Sequence, residues 1–424
     1  MNRRSFLRGT AALSGLGIVS TVGSRTASAA PYEGLCFCVI NASGGWDTTA
    51  LMDPKGTPDI NRLYGEGDIQ QAGSIAFAPT EGRLNGEGLT NETFFGRYAS
   101  ELLVINGIDI SVNNHEPCTR YMGSGKLDSD RFPAFAALAA AELAPDAPLA
   151  FMAMSAFGTT GGLVAKNAIN DFPSLLSLAR ADHVAYDSAS RYMPEEIVGL
   201  VDGALDREAS GLPVRDAMEQ AVLDAQHTSR NLEWVLDHVP TDTPSDSLRR
   251  RIEIALTGFA SGACCAATIG IGNYDSHANN DPDQMAEIPD LLRGVDHLMN
   301  RAEALGIRDR LVVVMQSEMG RTPWYNDNDG KDHWSVGSMM LMGPGITGNR
   351  VVGATTVDPD TGHEQWPVPV DPNTLALADD GIRIRPEHVH QALRELAGVA
   401  NTAAAEEFDL GVPAEERLTT LFTG

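Results

Sequence analysis

The sequence predicts an α/β fold in which a largely parallel sheet is covered by helices on both faces. Two observations carry that expectation. Short apolar runs such as CFCVI, LVVVM and MMLM alternate along the chain with longer helical stretches, the pattern of strands joined by crossover helices. Four such runs also stand beside an acid or an imidazole. Asp47 follows LCFCVINASGGW, Asp275 and His277 follow ATIGIGNY, Glu318 follows LVVVMQS, and Asp332-His333 precede SVGSMMLMGPG. Right-handed crossovers bring strand C-termini to one side of a parallel sheet, so side chains delivered there meet at one rim, where α/β sheets place their sites.

The elements follow in order. Residues 35–40 read as a buried strand, ended by the Gly44-Gly45 turn. Residues 65–95 are rich in Gly, Asn and Glu and predict a surface excursion beside the site. NETFFGRYASE predicts a helix capped by Asn91, and 102–108 the next strand. A helix over 132–143 and a strand over 149–156 come next. Residues 171–266 are mostly helical in pattern, including EEIVGLVDGAL, AMEQAVLDAQHT and the Ala-rich stretch with Cys264-Cys265. Strands are expected over 267–272, 311–316 and 338–342, helices over 288–305 and 388–399, and a Pro/Asp-rich loop over 354–372.

The first residues carry a different signal. Arg3-Arg4 before Ser5-Phe6-Leu7, a weakly apolar stretch, and Ala27-Ser28-Ala29 have the form of a twin-arginine leader with its cleavage site. Residues 1–29 are therefore expected to be removed, leaving one α/β domain over 30–424 in the periplasm or the medium. No later segment has the unbroken apolar length of a membrane span. The chain holds 31 basic and 57 acidic residues, a net charge of −26. Loss of the four leader arginines takes it near −30. Lysine is confined to Lys55, Lys126, Lys166 and Lys331. Such a surface argues against nucleic acid or an anionic membrane as partner. The five cysteines, Cys36, Cys38, Cys118, Cys264 and Cys265, lack the C-x-x-C spacing of a zinc knuckle and read as buried small hydrophobes.

Asp275 and His277 are spaced i, i+2, so an extended backbone turns both to one side. Carboxylate with imidazole is an ordinary ligand pair for zinc or manganese. Taken alone, a hydrogen-bonded surface pair explains them as well. Glu318, emerging from a buried run, needs a metal or a partner such as Arg321. Asp332 is either a ligand or the group that orients His333. His227, His238, His297, His388 and His390 lie in helical stretches with polar neighbours and read as solvated or capping residues.

The order GGWD, NNHEPCTRYMGSG, NYDSHANND, VVVMQSEMGRT, DHW and MMLMGPGITG resembles the twin-arginine-exported family known as domain of unknown function 1501. That family sits in the alkaline-phosphatase-like superfamily, beside sulfatases and phosphoglycerate mutases. The resemblance runs over most of the mature chain and implies a three-layer alkaline-phosphatase-like sandwich. It makes Asp47 the first-strand metal ligand and Asp275 with His277 the opposite side of a metal centre. It sets Glu318 where the superfamily has the Asp of Asp-His-Gly, and makes His333 the last metal-binding histidine. Two departures stand out: Met319 replaces a histidine ligand of a second metal, and the expected Ser or Thr nucleophile is replaced by His115.

Without that hydroxyl, covalent phosphoryl transfer through serine or threonine is not expected. His115 is left as metal ligand, as general base, or as a phosphohistidine. Arg321 and Arg120 are candidates to hold an anionic substrate. The expected function is metal-dependent hydrolysis of a small phosphate or sulfate ester, with catalytic roles for His115 and Arg321. The metal, zinc or manganese, is expected on Asp47, Asp275, His277, Glu318 and His333. The rival is a non-catalytic exported protein that keeps a structural metal and binds an unknown exported partner. A calcium site disagrees with the histidines, since calcium prefers oxygen shells.

Protein exported by its own host should begin at Ala30 when its N-terminus is read by mass spectrometry. Arg3→Lys with Arg4→Lys should leave the uncleaved chain inside the cell, and export undiminished by that change would remove the twin-arginine reading.

Overall fold

The computed structural model describes residues 31–82, 88–179 and 232–423. The leader, the EEIVGLVDGAL and AMEQAVLDAQHT stretches and His227 lie outside the described residues.

The strands are, in chain order, β1 (Cys36–Ala42), β2 (Gln70–Ala72), β3 (Ile75–Phe77), β4 (Leu103–Asp109), β5 (Phe151–Met154), β6 (Ala266–Ile271) and β7 (Leu311–Gln316). They continue with β8 (Gly320–Arg321), β9 (His333–Trp334), β10 (Val336–Met342), β11 (Arg350–Val352), β12 (Ala354–Val357) and β13 (Gln365–Val368). Seven form the central sheet in the order β11-β4-β10-β7-β1-β6-β5. Strand β1 pairs in parallel with β6 and β7, β6 with β5, and β11 with β4. Among the described strands of this sheet only β10 is reversed, antiparallel to both β4 and β7.

Alternation along β1 shows the three layers. Cys36, Cys38 and Ile40 join one core cluster with the helices Asn91–Tyr98, Ser247–Ser261 and Asn280–Ala304. Phe37 and Val39 join the other, with the helices His115–Ser124, Phe135–Leu143 and Pro386–Leu396. A strand buried on both faces gives the continuous apolar run seen in the sequence. The fold is thus the expected three-layer α/β sandwich with a mostly parallel sheet. Among the described residues no helix is long and apolar enough to cross a membrane.

The reversed strand settles how the rim is built. Strands β1, β4, β6 and β7 end at it, whereas β10 begins there, because Val336 pairs with Asp109 at the end of β4. His333 therefore reaches the rim from a strand start, although it precedes its apolar run rather than following it.

Several local expectations are corrected. Thr90, not Asn91, caps the first helix by accepting from Thr93 N. Asn91 is buried and donates to Ala50 O and Ala78 O. The excursion over 65–95 contains the β2–β3 hairpin, whose Ile75 and Phe77 are buried, and the Phe77 ring stacks on Phe95 at 4.7 Å. The long helix starts at Asn280, eight residues before 288, with Pro289 inside it. The Pro/Asp-rich loop expected over 354–372 instead contains both strands of the β12–β13 hairpin and its turn. Cys264 and Cys265 lie beyond the helix end at Gly262, leading into β6. All five cysteines are buried free thiols, as expected.

Two of the histidines read as polar are core residues. His388 and His390 are both almost fully buried. His388 does cap its helix, accepting at Nδ1 from Arg385 N, while His390 Nε2 lies 2.9 Å from Met122 O. Both sit on the inner face of an amphipathic helix, where the polar letters of HVHQ conceal the period.

Burial pushes the His390 imidazole down to about 4. A histidine whose pKa falls on folding favours the native state fully above its unfolded value near 6.5 and loses that contribution as pH drops through the folded value. Stability should therefore fall between about pH 6.5 and 4, with His390 responsible for on the order of 3 kcal/mol. In urea titrations across that window, His390→Gln should show a shallower dependence of stability on pH than the wild type. An unchanged slope would contradict it.

Candidate metal centre

The site begins with the turn after β1. Gly44 has φ +121°, and a Cβ on it would lie 2.4 Å from Asp275 N. Only glycine lets the two loops approach so closely. The turn aims Gly44 O and Gly45 O at Arg321, a side chain with no exposed surface. The guanidinium donates Nε to Gly45 O (2.9 Å), Nη1 to Lys331 O (3.0 Å), and Nη2 to Gly44 O and Asp275 Oδ1 (2.5 Å to the latter). Burial works against the Asp275 charge, but the Arg321 pair and then His333 and His115 outweigh it, holding the carboxyl at about 2.

Three imidazoles surround this carboxylate. His277 Nε2 and His333 Nε2 lie 3.1 and 3.2 Å from Asp275 Oδ1, and His115 Nε2 lies 3.4 Å from Oδ2. Each ring has its other nitrogen facing an acceptor. His115 Nδ1 meets Glu318 Oε1 at 3.0 Å, His277 Nδ1 meets Asp332 Oδ1 at 2.7 Å, and His333 Nδ1 meets Asn113 O at 2.9 Å. A carboxylate or carbonyl can only accept, so a cation bound among the Nε2 atoms would take their lone pairs and leave each proton on Nδ1, where an acceptor stands ready for it. His277 Nε2 and His333 Nε2 also face each other at 3.1 Å. Lone pairs and a carboxylate turned toward one point repel unless a cation or a proton stands among them.

That donor set fits a metal. Ligand atoms of His115, Asp275 and His333 all lie within 4.8 Å of one another. Histidine ligands whose second nitrogen is bound by a carboxylate or carbonyl are the usual way a protein fixes ring and tautomer. Burial, against the contact with Asp275, pushes the His333 imidazole below its ordinary value, which favours the lone-pair form. The Asp332 carboxyl is held low by its hydrogen bond from His277.

The structure brings together His115, Asp275, His277, Glu318, Arg321 and His333. Their positions differ from the expectation in three ways. Glu318 is buried behind His115, with Oε1 accepting also from Gly44 N at 2.7 Å, so it faces the ring rather than the convergence point. Arg321 turns inward on protein acceptors and presents no surface to a substrate. Arg120 pairs with Glu116 on its own helix at 3.1 Å.

Asp47 joins an adjacent network instead. Its Oδ1 accepts from Thr49 N (3.0 Å) and Thr49 Oγ1 (2.6 Å), and its Oδ2 from Asn280 Nδ2 (3.0 Å) and Lys331 Nζ (2.7 Å). Lys331 is fully buried and makes an ion pair with it. Burial raises the Asp47 carboxyl, and Lys331 overrules it, leaving the group below its ordinary value. Gln284 ties this network to the rim, accepting from Asp47 N and donating to Ser276 Oγ and Tyr274 O. Sequence reasoning missed Lys331, Asn280 and Gln284. The scarcity of lysine, with Lys331 directly before Asp332-His333, and the i, i+4 spacing of Asn280 and Gln284 were the available signals.

Residues 208–376 match the family model described as Protein of unknown function (DUF1501). That stretch carries Asp275, His277, Glu318, Arg321 and His333 and agrees with the resemblance. No curated protein matches this chain. Among solved structures, alkaline phosphatase from the Antarctic bacterium TAB5 is similar at 9% identity, covering 87% of this chain and 99% of that one, with a TM-score of 0.37. Ps i-CgsB, solved with k-i-k-neocarrahexaose, is 9% identical over 89% of this chain and 74% of that one, with a TM-score of 0.40. PsFucS1 sulfatase from Pseudoalteromonas sp. is 9% identical over 87% and 68%, with a TM-score of 0.34.

The Asp47–Lys331 pair makes a stability prediction. Breaking a buried pair from one side leaves an uncompensated charge and costs about 3–5 kcal/mol, whereas replacing both partners is close to neutral. Asp47→Asn should lower the urea midpoint strongly, and Asp47→Asn with Lys331→Met should recover most of the loss. Equal destabilisation by the single and double changes would contradict the pairing.

Proposed function

We propose that this chain is an exported protein whose divalent-metal centre hydrolyses a phosphate or sulfate ester. The observation that carries the reading is the convergence of three imidazole Nε2 atoms on the Asp275 carboxylate, each ring with an acceptor placed at its Nδ1. His115, Asp275 and His333 would hold the ion. The mixed nitrogen and oxygen set favours zinc or manganese. A metal bound there supplies a Lewis acid for the ester oxygen and lowers the pKa of a water.

The remaining work falls to the chain. Arg321 keeps Asp275 ionised and pointed at the centre. Glu318 orients His115, and Asp332 orients His277. His277, half exposed with Nδ1 on Asp332 and Nε2 turned to the centre, is placed to take a proton from water on one side of the ester and return it to the leaving group. No hydroxyl stands where His115 does, so transfer runs to water rather than through a serine or threonine ester.

The non-catalytic reading has one observation in its favour. The guanidinium of Arg321 is bound by protein acceptors, so the arginine expected to steady the substrate's charge is not free to do so. A net charge of −26 also repels an anionic ester, which adding salt screens.

Metal analysis and ester turnover separate the two readings. Stoichiometric zinc or manganese, lost in His333→Ala, together with turnover of aryl sulfate or aryl phosphate, supports the enzyme. Glu318→Gln should weaken metal affinity on the order of 10- to 100-fold by loosening His115, and kcat/KM should rise as salt is added from low ionic strength. A bound metal with no turnover on either ester class leaves the structural-metal reading, and absence of bound metal defeats both.

A further inference from the structure

The resemblance makes Asp47 a metal ligand, while Met319 stands in place of a histidine ligand of the superfamily's second metal, and the residues around Asp47 do not fit a ligand role. An ionised carboxylate offers about four lone-pair positions. At Asp47 all four are taken, by Thr49 N, Thr49 Oγ1, Asn280 Nδ2 and Lys331 Nζ, at distances of 2.6 to 3.0 Å. The Lys331 ammonium is satisfied in turn. It lies 2.7 Å from Asp47 Oδ2, 3.3 Å from Thr49 Oγ1 and 5.0 Å from the centre of the Tyr325 ring, within the range of a cation–π contact. Both Asp47 and Lys331 are fully buried. The contrast with Asp275 is chemical. Asp275 is half exposed, with Arg321 on Oδ1 and three imidazole Nε2 atoms beside it that can turn to a metal, whereas every position on buried Asp47 is held by a donor of the chain, one of them an ammonium.

We propose that Lys331 is a resident cation standing in place of a second metal ion, so that the centre binds a single divalent cation and Asp47 becomes a metal ligand only when Lys331 is removed. The latent site would be built from Asp47, the Thr49 hydroxyl and the Asn280 amide oxygen, now engaged by Ser276 Oγ at 2.7 Å. That all-oxygen set suits a hard ion such as Mn²⁺. The increment of one ion does not depend on the metal-centre reading, although the total of one does. The position of Lys331 suits this role. Its backbone N donates to Ser276 O at 2.9 Å and its carbonyl accepts from Arg321, so the ammonium is set by the same loop that carries Asp332 and His333.

The test is a count of bound ions on the full mature chain, stripped with chelator and titrated with Mn²⁺. Free Mn²⁺ is read by electron paramagnetic resonance and the total by elemental analysis. The wild type should bind one equivalent, Lys331→Ala one more than the wild type, and Lys331→Ala with Asp47→Asn the wild-type number. The extra ion should raise the melting temperature of Lys331→Ala and leave that of the double variant where it was. Lys331→Ala binding no more than the wild type overturns the proposal, as does a wild type that loses an ion in Asp47→Asn. Should Lys331→Ala fold only with Mn²⁺ present, that dependence supports the proposal, and failure to fold even with Mn²⁺ overturns it. A wild type with no bound ion and a variant with one would sink the metal-centre reading and leave this one standing; one ion in both would do the reverse.

Discussion

A single buried guanidinium organises the rim. Arg321 joins the turn after β1, the acid after β6 and the segment entering β9 through donors in one rigid plane. Its fork fixes directions as well as distances, which a lysine on a flexible stem would not do. Burial of that charge is tolerable only because Asp275 neutralises it and backbone carbonyls take the remaining donors. The Gly44-Gly45 turn follows from the same demand, since its carbonyls must face inward and its Cα atoms must clear the Asp275 backbone.

From that anchor the two acids at the rim take opposite characters. Asp275 is half exposed, paired with Arg321 on one oxygen and ringed by three imidazole nitrogens. Asp47 is buried and saturated by hydrogen bonds and an ammonium. The difference arises from burial and from the neighbours each acid meets, not from the acids themselves. A chain so short of lysine places one of its four beneath the site, where its charge acts locally and adds nothing to the surface.

The reversed strand β10 has a corresponding role. An all-parallel sheet would put the start of that strand at the opposite edge and carry His333 away from Asp275. Reversal sets the β8–β9 ribbon, with Arg321 opposite His333, across the rim, so that clamp and candidate ligand are neighbours in a ladder. The loop between them closes over His277, where a Cβ on Gly330 would lie 2.1 Å from the His277 carbonyl carbon.

The sequence by itself determined the strands and the layering. Runs such as LVVVMQ are apolar at every position because β7 is buried on both faces, and that signal is local and continuous. It also marked the acids and imidazoles that stand at strand ends, such as Asp275, His277 and Glu318, because strand ends are set by composition. Hairpin turns and helix starts were harder to read, since Pro, Asp and Asn serve as loop, cap and turn alike, as at Pro289 and in the β12–β13 hairpin. Only the tertiary structure decided the roles: that Glu318 stands behind His115, that Arg321 faces inward, that His390 is core, and that Asp47 answers to Lys331. Those assignments rest on proton donors brought together across some 280 residues of chain in the case of Asp47 and Lys331, and pairing at that separation leaves no periodic trace for composition or spacing to carry.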